Sequence, residues 1–189
     1  KYLNETRKKM TEMGINDIID TIENSDIKNN DILVVYNSEI HESIAGIIAG
    51  RIKDKYYKPT IVLTDADDGG CKGSARSIDE YNIFEGLTEC KSLLSKFGGH
   101  PMAAGLSLEK ENIDKLRSCL NEKSNLSQDD LTKKYYIDLP LPLDYVSFDL
   151  IYEIGKLEPY GVGNPRPSFG AKNVKINRLY KLGRERKIL

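Results

Sequence analysis

Tryptophan is absent from this chain, and histidine occurs only twice, at His41 and His100. Cysteine is scarce as well: Cys71, Cys90 and Cys119 form no pair with zinc-ligand spacing, and their odd number matches no closed disulfide framework. That usage suits free thiols in a reducing, cytoplasmic setting, with Cys90 and Cys119 buried in apolar-periodic segments. A charge of one sign is also missing. The 28 Lys+Arg against 29 Asp+Glu leave a formal net charge of -1. No overall basic field therefore announces a nucleic-acid partner, and any grip on an anion has to be local. No apolar run approaches the roughly 20 residues of a membrane-spanning helix, which excludes that class of partner. Neither a P-loop nor a nucleophile-elbow pattern occurs. There is no starting methionine or signal-peptide pattern, and Lys187-Ile188-Leu189 reads as the inside of a strand, so both ends are expected to be cut ends.

What is present is a soluble globular composition, 39% hydrophobic and 30% charged over 189 residues, enough for one well-buried core and a smaller appendage. Helix formers from Leu3 to Met13 run into Ile15, Ile18, Ile19 and Ile22 at helical spacing, which predicts one long helix bent near Gly14. Ile32 to Tyr36 and Ile61 to Leu63 read as strands buried on both faces, with a helix from Ser43 to Tyr56 between them. That βαβ order implies a parallel sheet. Lys72 to Ile78 reads as a strand with one exposed face. The stripe Ile83, Phe84, Leu87, Cys90, Leu93, Leu94 and Phe97 predicts a helix capped by Gly98-Gly99. A strand from Ala104 to Leu108 and a helix through Ile113, Leu116 and Leu120 follow. The polar stretch from Asn121 to Lys134 marks a domain boundary. Beyond it, Tyr135 to Leu139 reads as a strand and Phe148 to Leu157 as a helix. Val174, Ile176 and Leu179 suggest strands of a second, truncated β domain.

Two segments join glycine to anion-binding groups. In Lys72-Gly73-Ser74-Ala75-Arg76-Ser77, a strand period of two puts Lys72, Ser74 and Arg76 on one face. Ser74 offers a hydroxyl and Arg76 a planar fork matched to phosphate oxygens; an ordinary solvated strand face has the same appearance. In Phe97-Gly98-Gly99-His100-Pro101-Met102-Ala103-Ala104-Gly105, His100 is presented from a constrained loop, or else the segment is a helix cap followed by small-residue packing. His41 stands just after the first buried strand and before a helix, where open α/β sheets collect ligands and where ordinary helix-start residues also sit. Asp65, Asp67 and Asp68 lack full calcium-loop spacing and read as a solvated turn, though they bring negative charge close to the proposed anion pocket.

The runs His41 to Arg51, Lys72 to Ile78 and Phe97 to Gly105, in this order and spacing, resemble the DHH-associated domain of RecJ exonucleases. Leu157 to Pro167 resembles the segment leading into the oligonucleotide-binding β-barrel of that family, and Leu3 to Arg7 resembles its long connecting helix. The resemblance implies an α/β fold with a central, mostly parallel sheet flanked by helices. It would be divided as a connecting helix over 1–24, a substrate-binding domain over 25–124, and a linker with an incomplete OB-like β domain over 125–189. It implies part of a 5′ exonuclease acting on single-stranded DNA in recombination and repair, inactive as this chain alone. Mn2+ or Mg2+ would be held by residues outside the chain. Ser74 and Arg76 match positions that anchor a terminal 5′ phosphate, His100 the histidine facing the scissile phosphate, and His41 a neighbouring substrate-side position. Lys72, Gly98 and Gly99 complete the expected substrate contacts. A monomer cooperating with a single-strand-binding protein and a helicase is the expected setting, with no membrane partner. The competing readings are a nucleic-acid adaptor, using a basic tail of Arg178, Lys181, Arg184, Arg186 and Lys187, and part of an oligoribonuclease or cyclic-dinucleotide phosphodiesterase of the same superfamily.

Overall fold

A computed structural model describes residues 2–67 and 69–178. Asp68 and Leu179 lie outside the described residues, as do Lys181, Arg184, Arg186 and Lys187 of the basic tail. The chain divides into two compact units, Lys1–Lys133 and Lys134–Leu189. Among the described residues no helix is long and apolar enough to cross a membrane.

The first unit opens with helix α1 (Tyr2–Glu23), which runs unbroken through Gly14. A methyl group on Gly14 would lie 2.7 Å from Ile48 Cδ1, so this glycine is where α1 crosses the next helix rather than where it bends. Its helix-propensity penalty of about 1 kcal/mol is offset by that close approach. Strand β1 (Leu33–Tyr36), helix α2 (Glu42–Tyr56) and strand β2 (Thr60–Asp65) form the expected βαβ unit, and β1 and β2 pair in parallel. Strand β3 (Cys71–Arg76), helix α3 (Ile83–Glu89), strands β4 (Lys96–His100) and β5 (Ala103–Leu108), and helix α4 (Ile113–Glu122) complete the unit.

The sheet order is β1-β2-β3-β5-β4. The expectation of a mostly parallel sheet is corrected: β2 with β3, β3 with β5, and β5 with β4 are all antiparallel. The reason lies in the connections. Among hydrogen-bonded neighbours, only β1 and β2 follow each other through a crossover helix, which an adjacent parallel pair requires; α3 also joins two strands of like direction, β3 and β4, but β5 lies between them. Between β2 and β3 the chain turns within 66–70, where Ala66 N–H donates to the Gly70 carbonyl and Gly69 takes a positive φ of 90°. Such a turn can only reverse direction.

A second correction concerns the stripe from Ile83 to Phe97. The helix ends at Glu89, a 3-10 turn spans Lys91–Leu93, and Gly98-Gly99 lie inside β4 instead of capping a helix. Leu93, Leu94 and Phe97 still pack on the core, because Phe97 faces inward under a strand period just as it would under a helical one.

Apolar side chains cover both sheet faces. On one, Ile18, Ile22, Ile44, Ile48 and Ile52 of α1 and α2 enclose Leu33, Val35 and Val62. On the other, Leu87, Leu116 and Leu120 of α3 and α4 close over Val34, Leu63, Ala75, Leu106 and Leu108. Each buried Ile, Leu or Val side chain among them stabilises the fold by roughly 2 kcal/mol. Cys90 and Cys119, read from sequence as free thiols, are joined by a disulfide between the end of α3 and α4. Their sequence separation of 29 carries no trace of that proximity, which arises only when both helices pack on one face. Cys71 is buried and free.

In the second unit, strands β6 (Leu139–Pro140) and β7 (Phe169–Gly170) pair in parallel, and helix α5 (Phe148–Gly155) begins at Ser147, whose hydroxyl accepts from Leu150 N–H. The segment from Leu157 to Pro167 is held by Asn164, whose side-chain amide donates to the carbonyls of Leu157 (2.7 Å) and Pro159 (3.1 Å).

Candidate nucleic-acid interface

Register places the singled-out residues of the first unit. On the sheet face shared with α2, one row reads Thr60, Arg76, Ala103, His100; the next Val62, Ser74, Gly105, Gly98; and the third Thr64, Lys72, Ser107, Lys96. The outer part of this face is therefore a trough. Its floor is β5, which presents only Ala103, Gly105 and Ser107; β3 forms one wall with Arg76, Ser74 and Lys72, and β4 the other with His100, Gly98 and Lys96. A groove of about 450 Å³ opens here, bounded at its α2 end by Glu42, Ser43 and Ala45 and reaching Lys72, Ser74, Lys96, Gly98 and Ser107.

Ser74 and Arg76 come together against Gly46 of α2. A Cβ on Gly46 would stand 2.7 Å from Arg76 Nη2 and 3.4 Å from Ser74 Oγ, so the missing side chain makes room for the guanidinium. Arg76 Nη1 donates to the Ala75 carbonyl at 2.8 Å, which orients the fork. Lys72 is paired with Glu42 at 3.1 Å, so its charge is partly offset at the groove wall. Both partners are substantially exposed, and the pair is weak by itself.

His100 ends β4, exposed, and its Nδ1 accepts from Met102 N–H at 3.4 Å. In the neutral ring the proton is then on Nε2, which leaves that nitrogen as a donor. Gly98 and Gly99 differ in role. Gly98 shares the trough face with open space above it. Gly99 faces the opposite side, where a Cβ would meet the Ala103 carbonyl oxygen at 2.3 Å and Ala104 Cα at 2.5 Å, so it permits the tight β4–β5 hairpin.

His41 is not brought into this groove. It is the N-cap of α2, its Nδ1 accepting from Ser43 N–H at 3.2 Å, and it lines an adjoining hollow of about 370 Å³ with Ser38, Glu39, Asp65 and Asp67. Asp65 pairs with Cys71 in register, on the face opposite Ser74 and Arg76. Lys110 reaches it at 2.7 Å and the Tyr36 hydroxyl donates to it. The Lys110 ammonium first, then Tyr36, hold the Asp65 carboxyl below its ordinary range. Asp65 is thus directed away from the wall formed by Arg76, Ser74 and Lys72.

Sequence reasoning missed Lys96, Ser107, Glu42, Ser43 and Gly46. Taking Ile83 to Phe97 as a helix hid Lys96, whose alternation with Gly98 and His100 shows only once a strand is recognised. Among the described residues, no group of three or more His, Cys, Asp or Glu side chains is placed to hold a metal ion.

The mixed sheet with its trough falls within one family model, the DHHA1 domain over residues 29–125, and the second unit coincides with another, the RecJ OB domain over 137–189. The single-stranded-DNA-specific exonuclease RecJ of Bacillus subtilis (strain 168) is 36% identical over 96% of this chain and 23% of its own length. The Escherichia coli (strain K12) protein of the same name is 32% identical over 88% of this chain and 30% of its own length. The crystal structure of RecJ in complex with Mg2+ from Thermus thermophilus superposes with a TM-score of 0.74 at 24% identity, covering 88% of this chain and 25% of that one. That likeness is one of fold. The chain belongs to the RecJ family, and it spans between a fifth and about a third of the length of the curated relatives it matches.

Proposed function

We propose that this chain supplies the DNA-gripping part of a metal-dependent 5′ to 3′ single-stranded-DNA exonuclease, a phosphodiester hydrolase of DNA recombination and repair. One observation carries the reading: Arg76, Ser74 and Lys72 face His100 and Gly98 across a floor of small residues on the same side of one sheet. Arg76 and Ser74 receive the terminal 5′ phosphate, the fork and the hydroxyl meeting its oxygens. An internal phosphate continues into a further nucleotide and cannot fill that seat equally well, so the seat fixes polarity. The outward Nε2–H of His100 donates to a nonbridging oxygen of the scissile phosphate. Gly98 lets the strand approach the backbone, Gly99 holds the hairpin that carries His100, and His41 lies along the approach.

Residues 1–24 would then be the connecting helix, 25–124 the gripping domain, and 125–189 a linker and part of an OB-like β domain. Relatives have been solved with Mg2+ and with Mn2+. In the proposed enzyme the ligands of that metal lie outside this chain, and the whole acts as a cytoplasmic monomer alongside a single-strand-binding protein and a helicase.

Arg76→Ala in the full-length enzyme is expected to slow digestion of 5′-phosphorylated single strands about tenfold more than that of 5′-hydroxyl strands, as loss of a charge-assisted bidentate contact would. Equal losses on both would remove the 5′-phosphate seat. This chain alone, mixed with Mn2+ and 5′-labelled single-stranded DNA, is expected to leave the label at full length on a denaturing gel, and robust shortening would overturn the division of labour.

A further inference from the structure

The trough holds a cation with no role in the reading above. Lys96 lies two residues before Gly98 on β4, and His100 lies two residues after it, all three on one face. At the strand rise each is about 7 Å from Gly98 along β4, and β3 is about 10 Å away across β5. Lys96 lines the groove, is exposed, and has no ion-pair partner among the described residues. Lys72, opposite it across Ser107, is occupied by Glu42. Gly105 on the floor and Gly98 in the β4 wall present no side chain, so a strand crossing from Ser74 must pass over bare backbone.

We infer that Lys96 is a positioning residue for the first internucleotide phosphate, holding it over Gly98 from the side opposite His100. This rests on the proposed seating of the 5′ phosphate at Ser74 and Arg76. Geometry selects the phosphate. The 5′ phosphate belongs to the β3 wall, and the next one in the chain is the first that can reach β4. Lys96 supplies a compact point charge and His100 a single directed donor, so the phosphate is centred between them without Lys96 taking part in proton transfer. Lys96 therefore has no contact to make with a mononucleotide.

Fluorescence and competition titrations of this chain with dTMP, 5′-phosphorylated dT dinucleotide and 5′-phosphorylated dT hexanucleotide separate the two ideas. Lys96→Ala is expected to weaken the dinucleotide and hexanucleotide about fivefold and leave dTMP within twofold. It should also make the salt dependence of hexanucleotide binding shallower by about 0.7 in log K against log salt, the signature of one lost phosphate contact on a single strand. Lys96→Arg should restore both readouts. Unchanged dinucleotide affinity and salt slope in Lys96→Ala, with Arg76→Ala still losing all three ligands, would overturn the role of Lys96 and leave the 5′-phosphate seat standing. If Arg76→Ala binds dTMP as well as the unaltered chain does, the seat itself fails.

Discussion

A methyl group on Gly46 would stand 2.7 Å from a terminal nitrogen of Arg76, the far end of a flexible side chain that can swing aside at little cost. Gly46→Ala in α2 is therefore expected to keep or raise thermal stability, by up to about 1 kcal/mol of helix propensity. The same change should weaken 5′-phosphorylated oligonucleotides several-fold by displacing the guanidinium. Calorimetry and titration on one variant check both halves. Asp65 gives a pH prediction. Its carboxyl titrates below the ordinary carboxylate range because of Lys110 first and Tyr36 second. A depressed folded value means that the contribution to stability is present above the unfolded value and is lost as pH falls through the folded one. An NMR titration should show the Asp65 midpoint rising in Lys110→Ala, and no change would mean that the pair does not hold in solution.

At the scale of elements, the two adjacent glycines of β4 are expected to behave oppositely. Gly99→Ala drives a methyl into the backbone of Ala103 and Ala104, which rigid packing penalises by roughly 1–3 kcal/mol, seen as a lower Tm. Gly98→Ala meets nothing within 4 Å, so it should fold normally and lose affinity for DNA by roughening the trough. The buried runs Ile32 to Tyr36 and Ile61 to Leu63 were legible as strands because continuous apolar sequence between turn signals has few other solutions. The α3 to β4 passage was not legible. Phe97 satisfies a helical stripe and a strand alternation equally, and only pairing with β5 decides between them. One-face placement of Lys72, Ser74 and Arg76 followed from the strand period, whereas their alignment opposite His100 and Lys96 depended on β5 lying between β3 and β4.

For the whole molecule, residue patterns announced a sheet and its two helical coverings but misjudged strand direction, because direction resides in loop length rather than in the strands. The disulfide between Cys90 and Cys119 was invisible for a related reason, since it depends on which two helices share a face. The sheet also has a consequence for association. Strand β4 is one of its two edges and is exposed along nearly its whole length, so its outward amides and carbonyls are a template onto which a foreign strand could add. Nothing in β4 is a strong β-former except Phe97, and the flanking Lys96 sets a charge beside two glycines that pleat poorly. Replacing Lys96 and Gly98 together with valine should raise the apparent mass in light scattering at high protein concentration. Lys96 and the bare backbone at Gly98, which the proposed function gives to a nucleic-acid strand, thereby also keep other polypeptides from zipping onto this edge.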